Sequence, residues 1–114
     1  MTEPPPGGAG GRRFHFSLPL LEHIREQRRF FQATMVRGND ARIRRRLVRQ
    51  VAELARIELD RIRPEGDRRL RDAEAHGAAG AFAGIVTWWL SGPSRLTVEQ
   101  VDEVFQGLVP GAAS

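Results

Sequence analysis

Residues 40–62 read DARIRRRLVRQVAELARIELDRI, and this stretch decides the fold. Ile43, Leu47, Val48, Val51, Leu54, Ala55, Leu59 and Ile62 recur at intervals of three and four, the spacing of one broad helix face. Arginines occupy the opposite face. Asn39 or Asp40 supplies an N-cap and Pro64 a stop, so the spacing predicts a helix over 40–62, about 33 Å long.

Downstream, residues 65–91 continue in the same period. They begin with a charged, solvated turn and pass into GAAGAFAGIVTWWLSG at 77–92, a run of sixteen residues without a charge. A helix that is apolar all round is covered on several sides. Gly77, Gly80 and Gly84 each cost roughly 1 kcal/mol against alanine in a helix interior, and the usual compensation is close approach by another helix. Gly92-Pro93 ends the element. Thr97-Val98-Glu99-Gln100 is a capping-box pattern that opens a last helix over 97–108, with Val98, Val101, Phe105 and Leu108 on one stripe, before Pro110-Gly111.

Upstream, Ser17 is a candidate N-cap and Pro19 is tolerated in a first turn. Leu20, Leu21, Ile24, Phe31 and Met35 share a face over 18–36. The polar stretch 26–29 interrupts that face and allows a kink, and Gly38-Asn39 ends the element. Residues 1–13, MTEPPPGGAGGRR, have the composition of a linker or tail, as do 111–114. No alternating strand pattern and no internal repeat occurs. The expectation is an all-α bundle of four main helices in one domain over 14–110.

The composition narrows function by exclusion. The chain has 114 residues, 18 basic side chains that are all arginine, 14 acidic ones, a formal charge of +4 and no cysteine. Disulfide scaffolds, thiol nucleophiles and Cys-ligated metal sites are excluded. His15, His23 and His76 contain no pair at ligand spacing, so no metal is expected. The serines lack a nucleophile-elbow setting, no glycine-rich phosphate loop precedes a helix, and Glu22/Glu26 is ordinary helix-surface spacing; no catalytic residue or cofactor is expected, and the chain reads as a non-enzyme. The uncharged run is too short and glycine-rich for a membrane span, and no export core follows Arg12-Arg13, so a cytoplasmic location is expected. Six arginines fall within 37–49. They suggest a phosphate-binding surface, but acidic residues follow on the same helix and no aromatic interleaves them, which favours a solvated face and only weak, salt-sensitive contact with DNA. Trp88 and Trp89 project about 100° apart on a helix and cannot share one surface.

One resemblance joins these pieces. His23-Ile24-Arg25-Glu26-Gln27-Arg28-Arg29-Phe30-Phe31 resembles the "H-I-x-E-N-R-x-F-Y" stretch that opens the C-terminal domain of many TetR-family transcriptional regulators. Residues 81–90, AFAGIVTWWL, resemble that family's long penultimate helix, and Gly92 with 96–101, LTVEQV, its following turn and final helix. Arg29 departs from the acidic residue common there. The resemblance spans 18–108 and implies an all-helical regulatory domain that forms a homodimer and encloses a pocket for a small effector. It implies DNA contact only through a helix-turn-helix, a motif that these residues do not contain. The implied pocket would be lined by Ile24, Phe31, Met35, Leu47, Val51, Phe82 and one of Trp88 or Trp89, with His23 and Thr87 as polar anchors, which suits a small, largely apolar ligand. Ala81, Gly84, Ile85, Val101, Phe105 and Leu108 are expected at or near the dimer interface. Two rival readings stand beside it: a homodimerisation module with a filled core and no ligand, and a basic nucleic-acid-binding helical protein.

Overall fold

The structure, a computed structural model, describes residues 14–38, 41–62, 64–93 and 95–109. The two tails, the Asn39/Asp40 cap and the Pro110-Gly111 stop lie outside them. The described residues form five α-helices and one π-helical turn, with no strand: α1 (Ser17–Glu26), α2 (Arg28–Phe31), the π turn (Gln32–Val36), α3 (Ala41–Ile62), α4 (Arg68–Ser91) and α5 (Val98–Leu108).

The expected first helix is therefore three pieces. α1 stops at Gln27, whose N–H bonds back to the carbonyls of His23 and Ile24. The bend falls in the polar stretch, where no apolar side chain holds the chain to the core. α2 then runs into the π turn, within which Met35 is buried in the core. The Gln32 side-chain amide donates to the Leu90 carbonyl at 3.0 Å and ties this turn to the end of α4. A Cβ on Gly38 would lie 2.7 Å from the Ala33 carbonyl oxygen, so a side chain there has no room as the chain leaves the turn.

Ser17 is not the cap. Phe16 holds that position, without a side-chain hydrogen bond. The Ser17 hydroxyl is fully buried and donates to the Asp102 carboxylate on α5 instead. α4 also begins later than the period predicts. Residues 64–67 make a turn around Gly66, whose φ of 132° favours glycine, and Asp67 caps the helix by accepting the Arg69 N–H at 2.8 Å. The α5 capping box is present in full, with Gln100 N–H to Thr97 Oγ1 at 3.1 Å and Thr97 N–H to Gln100 Oε1 at 2.9 Å.

α3 and α4 pack along most of their lengths, and α5 closes over α1 and α4. Ala52 and Ala55 on α3, with Ala75, Ala78 and Ala79 on α4, are buried; such small side chains allow two helix backbones to approach closely. At the other end Phe14, Phe16, Phe82 and Phe105 form an aromatic cluster with centroids 5.4 to 6.0 Å apart. Of the stripe expected on α3, Val51, Ala55 and Leu59 are buried, whereas Leu54 and Ile62 are exposed. Leu54 lies to the side of the α4 contact, and Ile62 is the last residue of its helix. The fold measures 44 × 32 × 17 Å. A thickness of 17 Å is about two helices, so each long helix keeps one face away from the core.

Candidate functional site

Of the side chains expected to line an effector pocket, seven belong to one cluster. Ile24, Met35, Val51, Phe82 and Trp89 are buried, and Phe31 and Leu47 pack against them. The three others lie outside it. His23 is exposed and meets only the edge of Phe31, with ring centroids 6.1 Å apart. Thr87 is half-buried, and its hydroxyl accepts from Arg44 Nη2 at 3.0 Å, which spends it on a surface contact between α3 and α4. Trp88 is 57% exposed. The two indoles diverge as adjacent helix positions must: Trp89 is 2% exposed, and its N–H donates to the Leu96 carbonyl at 3.1 Å, pinning the α4–α5 connection. A surface depression of about 360 Å³ lies at the α1–α2 bend, lined by Glu26, Gln27, Arg28, Arg29 and Phe30. None of the expected lining residues borders it.

The expected interface residues separate in the same way. Val101 and Phe105 are fully buried within the subunit, where Phe105 stacks against Phe14, Phe16 and Phe82. They present no surface to a second chain. Their stripe is apolar, and the subunit's own core claims it first. Ala81 and Ile85 are half-buried, Gly84 is exposed and Leu108 is 57% exposed.

What remains outward on α4 is a continuous uncharged face. Leu70, Ala73, Gly77, Gly80, Gly84 and Trp88 follow one another at intervals of three and four, and all are exposed. A Cβ built on Gly77, Gly80 or Gly84 meets nothing within 4 Å. No contact with another described residue explains these glycines. On α5, Asp102 and Gln106 turn toward α1, where they bond Ser17 and Phe14. Val104 and Leu108, two positions further along from each and so about 200° round the helix, are exposed on the other side. Sequence reading missed Leu70 and Val104. The signal for both was available: Leu70 lies seven residues before Gly77, and Val104 four before Leu108.

Charge is distributed unevenly. Arg71 is buried at the start of α4 and donates to Asp60 Oδ1 at 2.8 Å and to the Glu65 carbonyl at 2.7 Å. Arg56 stands among Glu53, Asp60 and Asp72, at 2.8, 3.9 and 3.9 Å. Further up α3, Arg45, Arg46 and Arg49 are exposed and pair with no described carboxylate. Among the described residues no group of His, Asp and Glu is arranged to hold a metal ion, and no helix is long and apolar enough to cross a membrane. No family profile, curated protein or solved structure matches the chain.

Proposed function

We propose that this chain is the effector-binding and dimerisation domain of a TetR-like transcriptional regulator, and that it acts as a homodimer. The observation that carries the reading is the outward face of α4. Three helix-interior glycines border open space, and Leu70 and Trp88 stand exposed at the two ends of the same face. Each glycine weakens the isolated helix, and an exposed indole forgoes burial. A second copy related by a two-fold axis supplies what is missing, because a two-fold contact places the same face on both partners. Two α4 helices crossing antiparallel near Gly80 bring backbones together over the glycines and lay Trp88 of each copy toward Leu70 of the other. Ala81 and Ile85 border this contact, and Val104 and Leu108 widen it. Val101 and Phe105 support it from beneath.

The effector in this reading is a small, largely apolar molecule admitted among Ile24, Phe31, Met35, Leu47, Val51, Phe82 and Trp89. Met35 adapts its shape readily, and Trp89 reports on the site. DNA recognition belongs to a helix-turn-helix outside these residues. Sedimentation velocity tests the dimer: the wild-type chain sediments as a dimer at micromolar concentration, and Gly84→Arg, with a charge in the middle of the α4 face, sediments as a monomer or aggregates. A panel of apolar ligands tests the pocket through a saturable change in tryptophan emission that Phe31→Ala weakens.

The dimerisation module with a filled core is favoured by one specific observation. Ile24, Val51, Phe82 and Trp89 are buried against one another and their neighbours, and the depression at the α1–α2 bend does not reach them. A dimer that gives no emission response across the panel selects this second reading.

A further inference from the structure

We propose that the first half of α3 is a docking surface for the phosphate backbone of duplex DNA, engaged without regard to base sequence. Charge is segregated along the chain. Between residues 27 and 52 there are eight arginines and one carboxylate, Asp40, which leaves +7; the rest of the chain has ten arginines against thirteen carboxylates, which leaves −3. The fold keeps the two regions apart in character. In the second half of α3 the carboxylates of Glu53 and Asp60 are engaged by Arg56 and Arg71. In the first half Arg45, Arg46 and Arg49 are exposed, and none pairs with a described carboxylate. Arg46 lies opposite Val51, Ala55 and Leu59 on α3, and Arg49 and Arg45 follow round toward the flank, so the three span about 100° of the helix and all are exposed.

Among the described residues no carboxylate pairs with Arg45, Arg46 or Arg49. A polyanion relieves their mutual repulsion. The choice of arginine throughout suits phosphate oxygens, which its planar fork can grip in pairs. At Arg45, Arg46 and Arg49 duplex DNA fits better than a single strand, because no aromatic residue occurs on α3 from 41 to 53 to stack an unpaired base, and the exposed Phe30 lies on α2. The surface does not depend on dimerisation or on an effector, because a monomer presents the same arginines.

Fluorescence anisotropy with a short random-sequence DNA duplex tests the proposal. Each engaged arginine contributes about −0.9 to the slope of log affinity against log salt, so three give about −2.7, a loss of about 40-fold between 50 and 200 mM NaCl. The triple variant Arg45→Gln, Arg46→Gln, Arg49→Gln removes that slope and the binding at low salt. Its circular dichroism matches the wild type, since all three side chains are exposed. Vesicles containing phosphatidylserine and a polyglutamate chain, offered in parallel, bind weakly or not at all. The proposal is overturned if the wild type does not bind the duplex at low salt, if the triple variant keeps the wild-type slope, or if vesicles or polyglutamate compete with the duplex at equal charge.

Discussion

The Gln106 side chain brackets the backbone of Phe14: its Oε1 accepts the Phe14 N–H at 3.2 Å and its Nε2 donates to the Phe14 carbonyl at 2.8 Å. A primary amide has the donor and acceptor needed to replace a strand or helix partner, and here it does so for one residue before α1. The same Nε2 lies 3.0 Å from the Ser17 hydroxyl, which in turn bonds Asp102. The next residue is held from α3, where Glu58 accepts the His15 N–H at 2.7 Å. Residues 14–17 are thus fastened to α5 and α3 where the first helix begins. Gln106→Leu keeps the bulk and removes both of its bonds to the Phe14 backbone, at a cost of about 2 kcal/mol. Thermal unfolding should fall by about 10 °C.

Arg71 performs the matching task at the other end of the α3–α4 pair. It joins Asp60 on α3 to the Glu65 carbonyl in the turn, beside Gly66. Its guanidinium is buried, whereas the Asp60 side chain is 49% exposed and keeps part of its hydration. Loss of the arginine therefore costs less than breaking a fully buried pair. Arg71→Met should destabilise by about 2 kcal/mol, chiefly through loss of the two bonds that hold the turn to α3, and Asp60→Asn by about 1 kcal/mol. Urea denaturation of the two variants gives the ranking directly.

These two fastenings mark the limit of what the sequence discloses. Local signals were legible. The Thr97–Gln100 box, the break at 26–29, the stop at Gly38 and the divergence of Trp88 from Trp89 all follow from spacing within one or two turns. Contacts between distant residues carry no such signature. Ser17 looks like a cap because serine before an apolar run usually is one; that it is buried against Asp102, 85 residues away, depends on α5 crossing α1. Val101 and Phe105 have the pattern of an apolar stripe, but the pattern cannot say whether the subunit or a partner covers it. The arginine run was equally visible, and the structure adds that Glu53 and Asp60, further along α3, are engaged by Arg56 and Arg71.

The two tryptophans give separable signals. Trp88→Phe removes the exposed indole, leaving Trp89, whose emission should lie to the blue and resist acrylamide quenching. Trp89→Phe forfeits the bond to the Leu96 carbonyl and part of the core, costs about 1–3 kcal/mol, and leaves a red, readily quenched Trp88. The proposed interface and pocket then report independently. In Trp89→Phe, emission should move to the red on dilution as Trp88 leaves the dimer contact. In Trp88→Phe, it should respond to an apolar effector and not to dilution.

Gly80→Ala separates the glycine face as a feature of one subunit from the same face as an interface. Within the isolated fold the new methyl enters open space, since nothing lies within 4 Å of it. Alanine then stabilises α4 by about 0.5–1 kcal/mol through helix propensity and a less flexible unfolded chain. Between two α4 backbones in close approach the same methyl holds the helices apart. The proposed dimer therefore predicts opposite signs in two regimes. At nanomolar concentration, where the chain is monomeric, Gly80→Ala should unfold at a higher temperature than the wild type. At concentrations where the wild type is dimeric, its unfolding temperature rises with concentration because association stabilises the folded state, and the variant should lose that dependence and fall below the wild type. A variant that is more stable by the same margin at every concentration, with an unchanged sedimentation coefficient, would show that no second helix lies against Gly80.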